Sequence, residues 1–257
     1  MPPMPDRTAL IRPVPANFDR ALVREGRPRI DVGLARSQHD EYRRQLEMAG
    51  HTIEVVPADE AQPDCVFIED TAVIVGKVAV ITRPGSVSRR GETSAVAQAL
   101  AAWFPTTEIT EPGTLDGGDV FRLGNVLYVG RSARTNSDGI DQLRAIAFHQ
   151  GLGLVTVGVR QVLHLKSAVL PIDEETVVVT PGTVDEDRLD GIHIIHEDDA
   201  ERHRFSALPL GEGRVLVTAS APATVETVAK TGHEVVVIDV SQIQAADGGL
   251  TCMSILF

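Results

Sequence analysis

The order of secondary-structure patterns along this 257-residue chain constrains its fold more than any single motif does. Two β-rich runs joined by a tight turn, then a helical stretch, then one more short strand, recur along the sequence. Four successive passes through this order open with CVFIEDTAVIV, GDVFRLG, SAVLPID and FSALPLG. Each pass is therefore predicted to form one strand–strand–helix–strand unit.

The two ends of the chain supply a fifth pass. TCMSILF, at the C-terminal end, is predicted to pair with TALIRPV near the N-terminus, before the helix SQHDEYRRQLEMAG and the strand HTIEVVP. Joining five units in a ring removes exposed sheet edges. We predict an α/β fold in which residues 1–257 form one domain, a closed five-unit α/β propeller with its site on the central axis. An open doubly wound sheet is the alternative, and hairpins at this frequency argue against it.

Polar residues recur at equivalent positions of these units. Equivalent positions in a ring face the same axis, so side chains that are far apart in sequence can meet there. The residues are Glu69 and Asp70 within the first hairpin strand of one unit, Asp116 and Asp119 just before that strand in the next, His164 just before it in the third and Cys252 within it in the fifth. The repeat predicts that acids, a histidine and a cysteine converge at one mouth.

The composition is that of a soluble globular protein and argues against several classes of partner. The formal net charge of −12 disfavours binding to phosphate backbones and to anionic lipid surfaces. No apolar run approaches the roughly 20 residues that cross a bilayer, and MPPMPDRTALIRPVP lacks the basic start and apolar centre of a signal peptide. Two distant cysteines make no disulfide framework. A cytoplasmic protein with no nucleic-acid or membrane partner is predicted.

Cys252 is a candidate nucleophile. A lone cysteine beside apolar residues such as Met253 and Ile255 is usually a small buried hydrophobe. As a nucleophile a cysteine acts as its thiolate, has a free pKa of about 8.5 and needs a neighbouring acid–base group. His164 lies where a strand is about to enter the ring and is the candidate for that group. On this pattern alone, both the structural and the catalytic interpretation of Cys252 stay open.

The other histidines have settings that argue less for function. His39 and His149 lie on predicted helices, where solvent exposure is the default. His193 and His196 are three residues apart in a predicted strand, so they point to opposite faces and do not suit a shared metal ion.

The densest acidic signal is PDCVFIED, in which Asp64, Glu69 and Asp70 surround an apolar CVFI. Carboxylates in such a setting are costly to bury unless they are paired. One interpretation is a set of exposed loop acids that flank a buried strand. The other is a pocket for a cation, for which a planar guanidinium is the best geometric match.

Six segments taken together resemble a known enzyme family. In chain order they are PDCVFIEDTAVIV, ITRPGSVSRR, TLDGGDV, GRSARTN, LHLKS and DGGLTCMSIL. This set is similar to the dimethylarginine dimethylaminohydrolases, which are guanidino-group-modifying enzymes, and the likeness runs from about Thr8 to Phe257. The resemblance implies the five-unit α/β propeller that the repeat already predicts.

The resemblance also implies a role for each matching residue. Cys252 is the expected nucleophile, His164 the general acid–base, and Asp116 the carboxylate that orients the histidine. The expected substrate-binding residues are Asp64, Glu69 and Asp70 at the guanidinium and amine side, Arg89 and Arg134 at the α-carboxylate, Ser167 near the histidine, and the backbone of Leu22 and Ala246. The segment NFDRALVREG around Leu22 matches only loosely.

By resemblance, the expected reaction is hydrolysis of Nω-methylated arginine to citrulline through a covalent thiouronium on the cysteine. It requires no metal and no organic cofactor, and its partner is the small-molecule substrate alone. Arginine deiminase chemistry on unmethylated arginine is one alternative, although those enzymes and the amidinotransferases are longer. A non-catalytic amino-acid-binding propeller is another. The oligomeric state, monomer or homodimer, is open.

Overall fold

The predicted repeat of strand pairs is present as five three-stranded sheets in the part of the chain that the structure describes. The structure is a computed structural model, and it describes residues 7–24, 26 and 28–257. The strands are β1 Thr8–Ile11, β2 Thr52–Val55, β3 Ala72–Val75, β4 Val78–Ile81, β5 Thr106–Glu108, β6 Val120–Leu123, β7 Val126–Arg131, β8 Gly153–Gly158, β9 Val169–Pro171, β10 Thr176–Val179, β11 His193–His196, β12 Ala207–Gly211, β13 Arg214–Thr218, β14 Glu234–Ile238 and β15 Ser254–Leu256. The α-helices are α1 Val32–Met48, α2 Thr93–Leu100, α3 Ser137–His149, α4 Pro222–Ala229 and α5 Ser241–Ala245.

All five sheets share one pairing pattern. In each, the middle strand is antiparallel to its hairpin partner and parallel to the strand that returns after the crossover. The orders are β15-β1-β2, β3-β4-β5, β6-β7-β8, β11-β10-β9 and β12-β13-β14. The prediction of five repeated units is thereby confirmed, whereas closure into a ring stays a prediction.

The fifth unit combines strands from opposite ends of the sequence. Ala9 pairs with Leu256 and Ile11 with Ser254 in an antiparallel register. The N–H of Thr8 also donates to the carbonyl of Phe257 at 2.6 Å. The predicted pairing of TCMSILF with TALIRPV is therefore confirmed.

The described residues divide into two compact units. The first, Glu69–Glu197, is continuous in sequence and contains β3 to β11. The second combines the described residues up to Ile68 with Asp198–Phe257 and contains the remaining six strands. Each unit has its own buried apolar clusters. The prediction of a single domain over residues 1–257 stays a prediction.

Capping residues set the starts of the two longest helices. α1 begins five residues before the predicted stretch, because the Asp31 side chain accepts the N–H of Leu34 at 3.0 Å and caps it there. α3 begins where predicted, since Asn136 accepts the N–H of Gly139 at 2.9 Å. In the described part of the chain, no helix has the length and apolar character needed to cross a bilayer.

Helix α1 buries one residue that was predicted to be exposed. His39 is only 4% exposed, and its Nε2 has no hydrogen-bond partner among the described residues. Burial lowers its pKa to about 4, so it is neutral at pH 7. The prediction for His39 is wrong because it lies on the apolar face of α1 beside Tyr42. His149 is exposed as predicted.

The first hairpin strands are shorter than predicted, and polar residues assigned to them lie in 3-10 turns. Glu69 and Asp70 belong to the turn Ile68–Thr71, directly before β3. Cys252 belongs to the turn Thr251–Met253, directly before β15. The prediction that these residues lie within strands is wrong. A strand would point Glu69 and Asp70 to opposite faces, whereas the turn buries both.

Candidate active site

The predicted site residues fall into two groups, one in each compact unit. The Glu69–Glu197 unit holds Glu69, Asp70, Arg89, Asp116, Arg134, His164 and Ser167. The other unit holds Leu22, Asp64, Ala246 and Cys252.

His164 and Asp116 form a buried pair. His164 Nε2 lies 2.9 Å from Asp116 Oδ2, and the two residues are 4% and 0% exposed. The other carboxylate oxygen of Asp116 accepts the N–H of Gly85 at 2.8 Å. A carboxylate fixed in this way orients the imidazole and favours its charged form.

Carboxylates around His164 hold it protonated. Burial alone lowers the pKa of the imidazole, but Asp70, Asp116 and Asp119 raise it to about 9. His164 Nδ1 lies 3.9 Å from Asp70 Oδ1. At neutral pH the histidine is therefore an imidazolium, which can donate a proton.

Two glycines allow the turns that carry these groups to approach closely. A Cβ on Gly117 would lie 2.0 Å from the carbonyl oxygen of Glu69. A Cβ on Gly118 would lie 2.7 Å from Asp70 Oδ1 and 2.8 Å from His164 Nδ1. The glycines of LDGGDV thus serve close packing of the backbone against the site residues.

Arg89 is buried between two carboxylates. Its Nη1 lies 2.5 Å from Asp70 Oδ2, and its Nε and Nη2 donate to the two oxygens of Glu92 at 3.0 and 2.8 Å. The His164 and Arg89 charges together keep the pKa of the buried Asp70 below its usual value. Sequence reasoning missed Glu92, although its position three residues after Arg89 near the start of a helix is a usable signal for such a pair.

Glu69 also has a cationic partner that sequence reasoning missed. Lys166 Nζ lies 2.5 Å from Glu69 Oε1, and both side chains are largely buried. Lys166 follows His164 by two residues in LHLKS. Nothing in that short segment alone indicates that its lysine is paired with an acid nearly one hundred residues away.

Arg134 differs from Arg89 in having an unpartnered donor. Its Nη1 is buried and has no hydrogen-bond partner among the described residues. Buried donors of this kind are rare in folded proteins, and this one is available to a ligand that accepts a hydrogen bond. Ser167 is exposed and closes the 3-10 turn after His164, donating its N–H to the His164 carbonyl at 3.1 Å.

Cys252 is half-buried and forms no disulfide in the described part of the chain. Its Sγ accepts the N–H of Gly249 at 3.4 Å, and it packs beside the apolar cluster of its unit. The second cysteine, Cys65, is buried, with its Sγ 3.4 Å from the N–H of Asp59. Of the two, Cys252 has the greater solvent access that a nucleophile requires.

Two carboxylates hold the segment around Leu22. Asp64 Oδ1 accepts the N–H of Leu22 at 3.0 Å. Asp247, directly after Ala246, accepts the N–H of Arg24 at 2.8 Å and forms an ion pair with its guanidinium at 3.0 Å. The loosely matching segment NFDRALVREG includes Glu25, which lies outside the described residues.

Ala246 follows α5 as its C-cap residue and is almost fully buried. Its N–H donates to the carbonyl of Ile243 at 3.0 Å. The loop that follows is tightly packed, since a Cβ on Gly248 would lie 2.3 Å from the Phe67 ring.

Ligand-type atoms of Asp70, Asp116 and His164 lie within 4.8 Å of one another, a spacing that a metal ion could bridge. The opposite charges of these groups stabilise one another instead, because His164 is protonated and Asp70 is paired with Arg89. The arrangement is an ion-pair cluster, and the expectation of no resident metal stays a prediction.

The amino-acid sequence of this chain is similar to a known family and to individual enzymes. A family model described as arginine deiminase matches residues 32–208. N(G),N(G)-dimethylarginine dimethylaminohydrolase of Streptomyces coelicolor is 41% identical over 98% of this chain and 97% of its own length.

Solved structures agree over nearly the whole chain. The Pseudomonas aeruginosa dimethylarginine dimethylaminohydrolase, with a cysteine replaced by serine and citrulline bound, has a TM-score of 0.93 at 31% identity and covers 97% of this chain and 98% of its own. A dimethylarginine dimethylaminohydrolase with a histidine replaced by glycine, present as an adduct with S-methyl-L-thiocitrulline, has a TM-score of 0.92 at 31% identity, covering 97% and 99%. The chain therefore belongs to the dimethylarginine dimethylaminohydrolases, within the family that the arginine deiminase model describes.

Proposed function

We propose that this protein hydrolyses Nω-methylated L-arginine to citrulline and methylamine or dimethylamine, with Cys252 as the nucleophile. The observation that carries the proposal is the buried pair of His164 and Asp116, whose Nε2 and Oδ2 atoms lie 2.9 Å apart. A binding protein has no need of an imidazolium held by buried carboxylates. Two related structures, one a complex with citrulline and the other an adduct with S-methyl-L-thiocitrulline, support the same reaction.

Binding of the substrate's amino-acid end falls to cationic and backbone groups. Arg134 supports this role best, since a substrate α-carboxylate would supply the partner that its buried Nη1 lacks among the described residues. Arg89 is the second residue proposed for the α-carboxylate. The N–H groups of Leu22 and Ala246 already donate to Asp64 and Ile243. Their contribution is therefore through carbonyl oxygens, which suit the substrate's α-ammonium.

The guanidinium end is held by the acids of PDCVFIED. Asp64, Glu69 and Asp70 keep the substrate's guanidinium charged and oriented, and its positive charge favours the thiolate of Cys252. Ser167, which closes the 3-10 turn after His164, is the residue proposed to assist substrate binding near the histidine.

In the first half of the reaction, the thiolate of Cys252 attacks the central guanidinium carbon and forms a tetrahedral adduct. The carbon–nitrogen bond to the methylated nitrogen then breaks. His164 supplies the proton that lets the nitrogen leave as a neutral amine, because its pKa of about 9 keeps it protonated at neutral pH. The ring nitrogen that does not face Asp116 is the one that delivers this proton. A thiouronium remains on sulfur.

In the second half, His164 is neutral and acts as a base. It takes a proton from water, whose oxygen attacks the thiouronium carbon. The carbon–sulfur bond breaks and frees the thiolate, while the proton left on the new oxygen passes to solvent as the carbonyl of citrulline forms. Citrulline leaves, and the thiolate and the imidazolium are restored. The proton given to the leaving amine and the proton taken from the attacking water both pass through His164, and no step needs a metal or an organic cofactor.

The test is citrulline production by the purified protein from Nω-monomethyl-L-arginine and asymmetric Nω,Nω-dimethyl-L-arginine. Cys252→Ser is expected to lose at least about a thousandfold in kcat while still binding substrate, because serine is a far weaker nucleophile. Cys65→Ser is the matched control and is expected to keep turnover. Equal turnover by Cys252→Ser and the unmutated protein would refute the proposal.

Arginine deiminase activity is the second candidate, and the family-model match over residues 32–208 favours it. The same acids and the same cysteine chemistry would serve unmethylated arginine, with ammonia as the leaving group. Plain L-arginine run in parallel decides between the two. Citrulline from plain arginine alone would assign the protein to that second activity.

A further inference from the structure

Asp119 is a buried carboxylate to which the proposed mechanism gives no task. It is 0% exposed and lies at the end of the 3-10 turn Gly117–Asp119, three residues after Asp116. Burial raises its pKa to about 6, against the opposing effect of His164 and of its hydrogen bonds. An apolar side chain would be easier to bury here, so the carboxylate needs a physical explanation.

Asp119 is bonded on one side to the turn that carries His164. Its Oδ1 accepts the N–H of Leu165, the residue after the histidine, at 2.8 Å. This bond fixes the start of the 3-10 turn Leu165–Ser167 and hence the direction in which His164 leaves the backbone.

On its other side Asp119 is bonded to the turn that carries Arg134. Its Oδ2 accepts the hydroxyl of Ser132 at 2.6 Å. Ser132 Oγ in turn accepts the N–H of Arg134 at 3.0 Å and that of Thr135 at 3.2 Å. The carboxylate therefore organises the backbone on which Arg134 stands.

Thr135 completes the network. Its hydroxyl is hydrogen-bonded to Asp119 and accepts the N–H of Asp116 at 3.1 Å. One carboxylate thus connects the Arg134 turn with both members of the His164–Asp116 pair.

We propose that Asp119 is a positioning residue that fixes the spacing between the Arg134 turn and the His164–Asp116 pair. The proposal rests on the function proposed above, in which Arg134 binds the substrate's α-carboxylate and His164 protonates the leaving amine. Asp119 holds both the Arg134 turn and the turn that carries His164. A substrate whose α-carboxylate is bound by Arg134 therefore presents its guanidinium to His164 in a single position. Misplacement of about 1 Å in such an arrangement can cost about a hundredfold in rate.

Asparagine is the informative substitution at this position because it keeps the volume but has only one acceptor oxygen. That oxygen cannot serve both the Leu165 N–H and the hydroxyls of Ser132 and Thr135. Whichever way the amide turns, one connection to the His164–Asp116 pair is lost.

The experiment measures kcat and KM for Nω-monomethyl-L-arginine with Asp119→Asn, Ser132→Ala and the double variant. Ser132→Ala loosens only the Arg134 turn, so KM is expected to rise about tenfold with kcat within about twofold. Asp119→Asn is expected to lower kcat/KM by a factor of about ten to a hundred. In the double variant, Ser132→Ala should add less than about threefold, since the connection it breaks is already gone.

Glu197→Gln is the matched control. Glu197 is likewise buried in the same unit and accepts a threonine hydroxyl, that of Thr180 at 2.5 Å. It is expected to lower the melting temperature while leaving kcat and KM unchanged. Kinetic constants in Asp119→Asn that match those of the unmutated protein, or fully additive effects in the double variant, would overturn the proposal.

A second measurement does not depend on turnover. Proton NMR of the imidazole N–H that bonds to Asp116 reports how firmly His164 is held. Its exchange with water is expected to accelerate at least about fivefold in Asp119→Asn and to stay unchanged in Glu197→Gln. If the unmutated protein made no citrulline, the proposed function would fail, and unchanged exchange in Asp119→Asn would separately refute the positioning role.

Discussion

At the scale of single residues, charge placement distinguishes this protein's two buried histidines. His39 and His164 are both 4% exposed, yet burial lowers the pKa of one to about 4 while carboxylates raise the pKa of the other to about 9. The sequence pattern does indicate His164, because it precedes a predicted strand in a repeat. It does not reveal that His39 is buried, since tertiary packing decides which face of α1 lies against the apolar core.

The raised pKa of His164 has a defined effect on stability. A group whose pKa is higher in the folded state stabilises that state at low pH. The contribution is complete below about pH 6.5, the ordinary value, and is lost as the pH rises through about 9.

Replacing Asp116 by asparagine tests this assignment. Loss of the adjacent negative charge is expected to lower the pKa of His164 by about one unit or more. NMR titration of the His164 ring measures the change directly. Thermal unfolding at pH 6 and pH 9 should then differ less in the variant than in the unmutated protein.

Asp138→Asn, at an exposed position on α3, is the control and should leave both quantities unchanged. A His164 pKa that is the same in Asp116→Asn and in the unmutated protein would contradict the role of this carboxylate.

At the scale of secondary-structure elements, site residues repeatedly lie in or next to short 3-10 turns. Each of these turns precedes the first hairpin strand of a three-stranded sheet. Such turns are Ile68–Thr71, Gly117–Asp119, Leu165–Ser167 and Thr251–Met253. Sequence periodicity finds the strands after them, because those are apolar runs bounded by turn residues. The same periodicity places the predicted strand starts too early, over the 3-10 turns. In the segment before β3, for example, CVFI is as apolar as the strand that follows.

Gly118 tests how closely these turns must approach. In Gly118→Ala the new Cβ would lie 2.7 Å from Asp70 and 2.8 Å from His164, so one of the two side chains must move. We expect kcat to fall at least about tenfold, with a loss of stability of roughly 1–3 kcal/mol from overpacking. Citrulline assays and urea unfolding measure the two effects.

Gly153→Ala is the matched control. Gly153 begins β8, and its added Cβ would meet its nearest neighbour at an ordinary 3.7 Å. Its activity should stay unchanged. A Gly118→Ala enzyme as active as this control would contradict the close approach described here.

At the scale of the whole molecule, the repeated order of strands and helices allows the fold to be predicted from the sequence. The order of strand pairs, helices and returning strands predicts all five sheets, including the one built from both ends of the chain. The ion-pair partners are far less predictable. Glu69 meets Lys166 and Asp116 meets His164 only because different three-stranded repeats of the Glu69–Glu197 unit fold together, and no local sequence pattern indicates those contacts.

Removing Ser254–Phe257 tests the fifth sheet. The deletion takes away β15, the antiparallel partner of β1, and with it the buried Ile255. We expect loss of citrulline production together with a large drop in melting temperature, measured by circular dichroism. Cys252→Ser, which leaves β15 in place, should lose turnover but keep its melting temperature within a few degrees. Full turnover by the shortened protein would refute this account.

The pairing of β1 with β15 also orders events during protein synthesis. β1 is translated before every other strand that the structure describes, and its antiparallel partner β15 is translated after all of them. The continuous unit Glu69–Glu197 has all its described strands translated before residues 198–257 are made, whereas the unit that contains Cys252 still lacks β12 to β15 at that point. The nascent chain can therefore assemble the histidine-bearing unit first, and the sheet that β1 shares with β15 can form only after β15 has been translated.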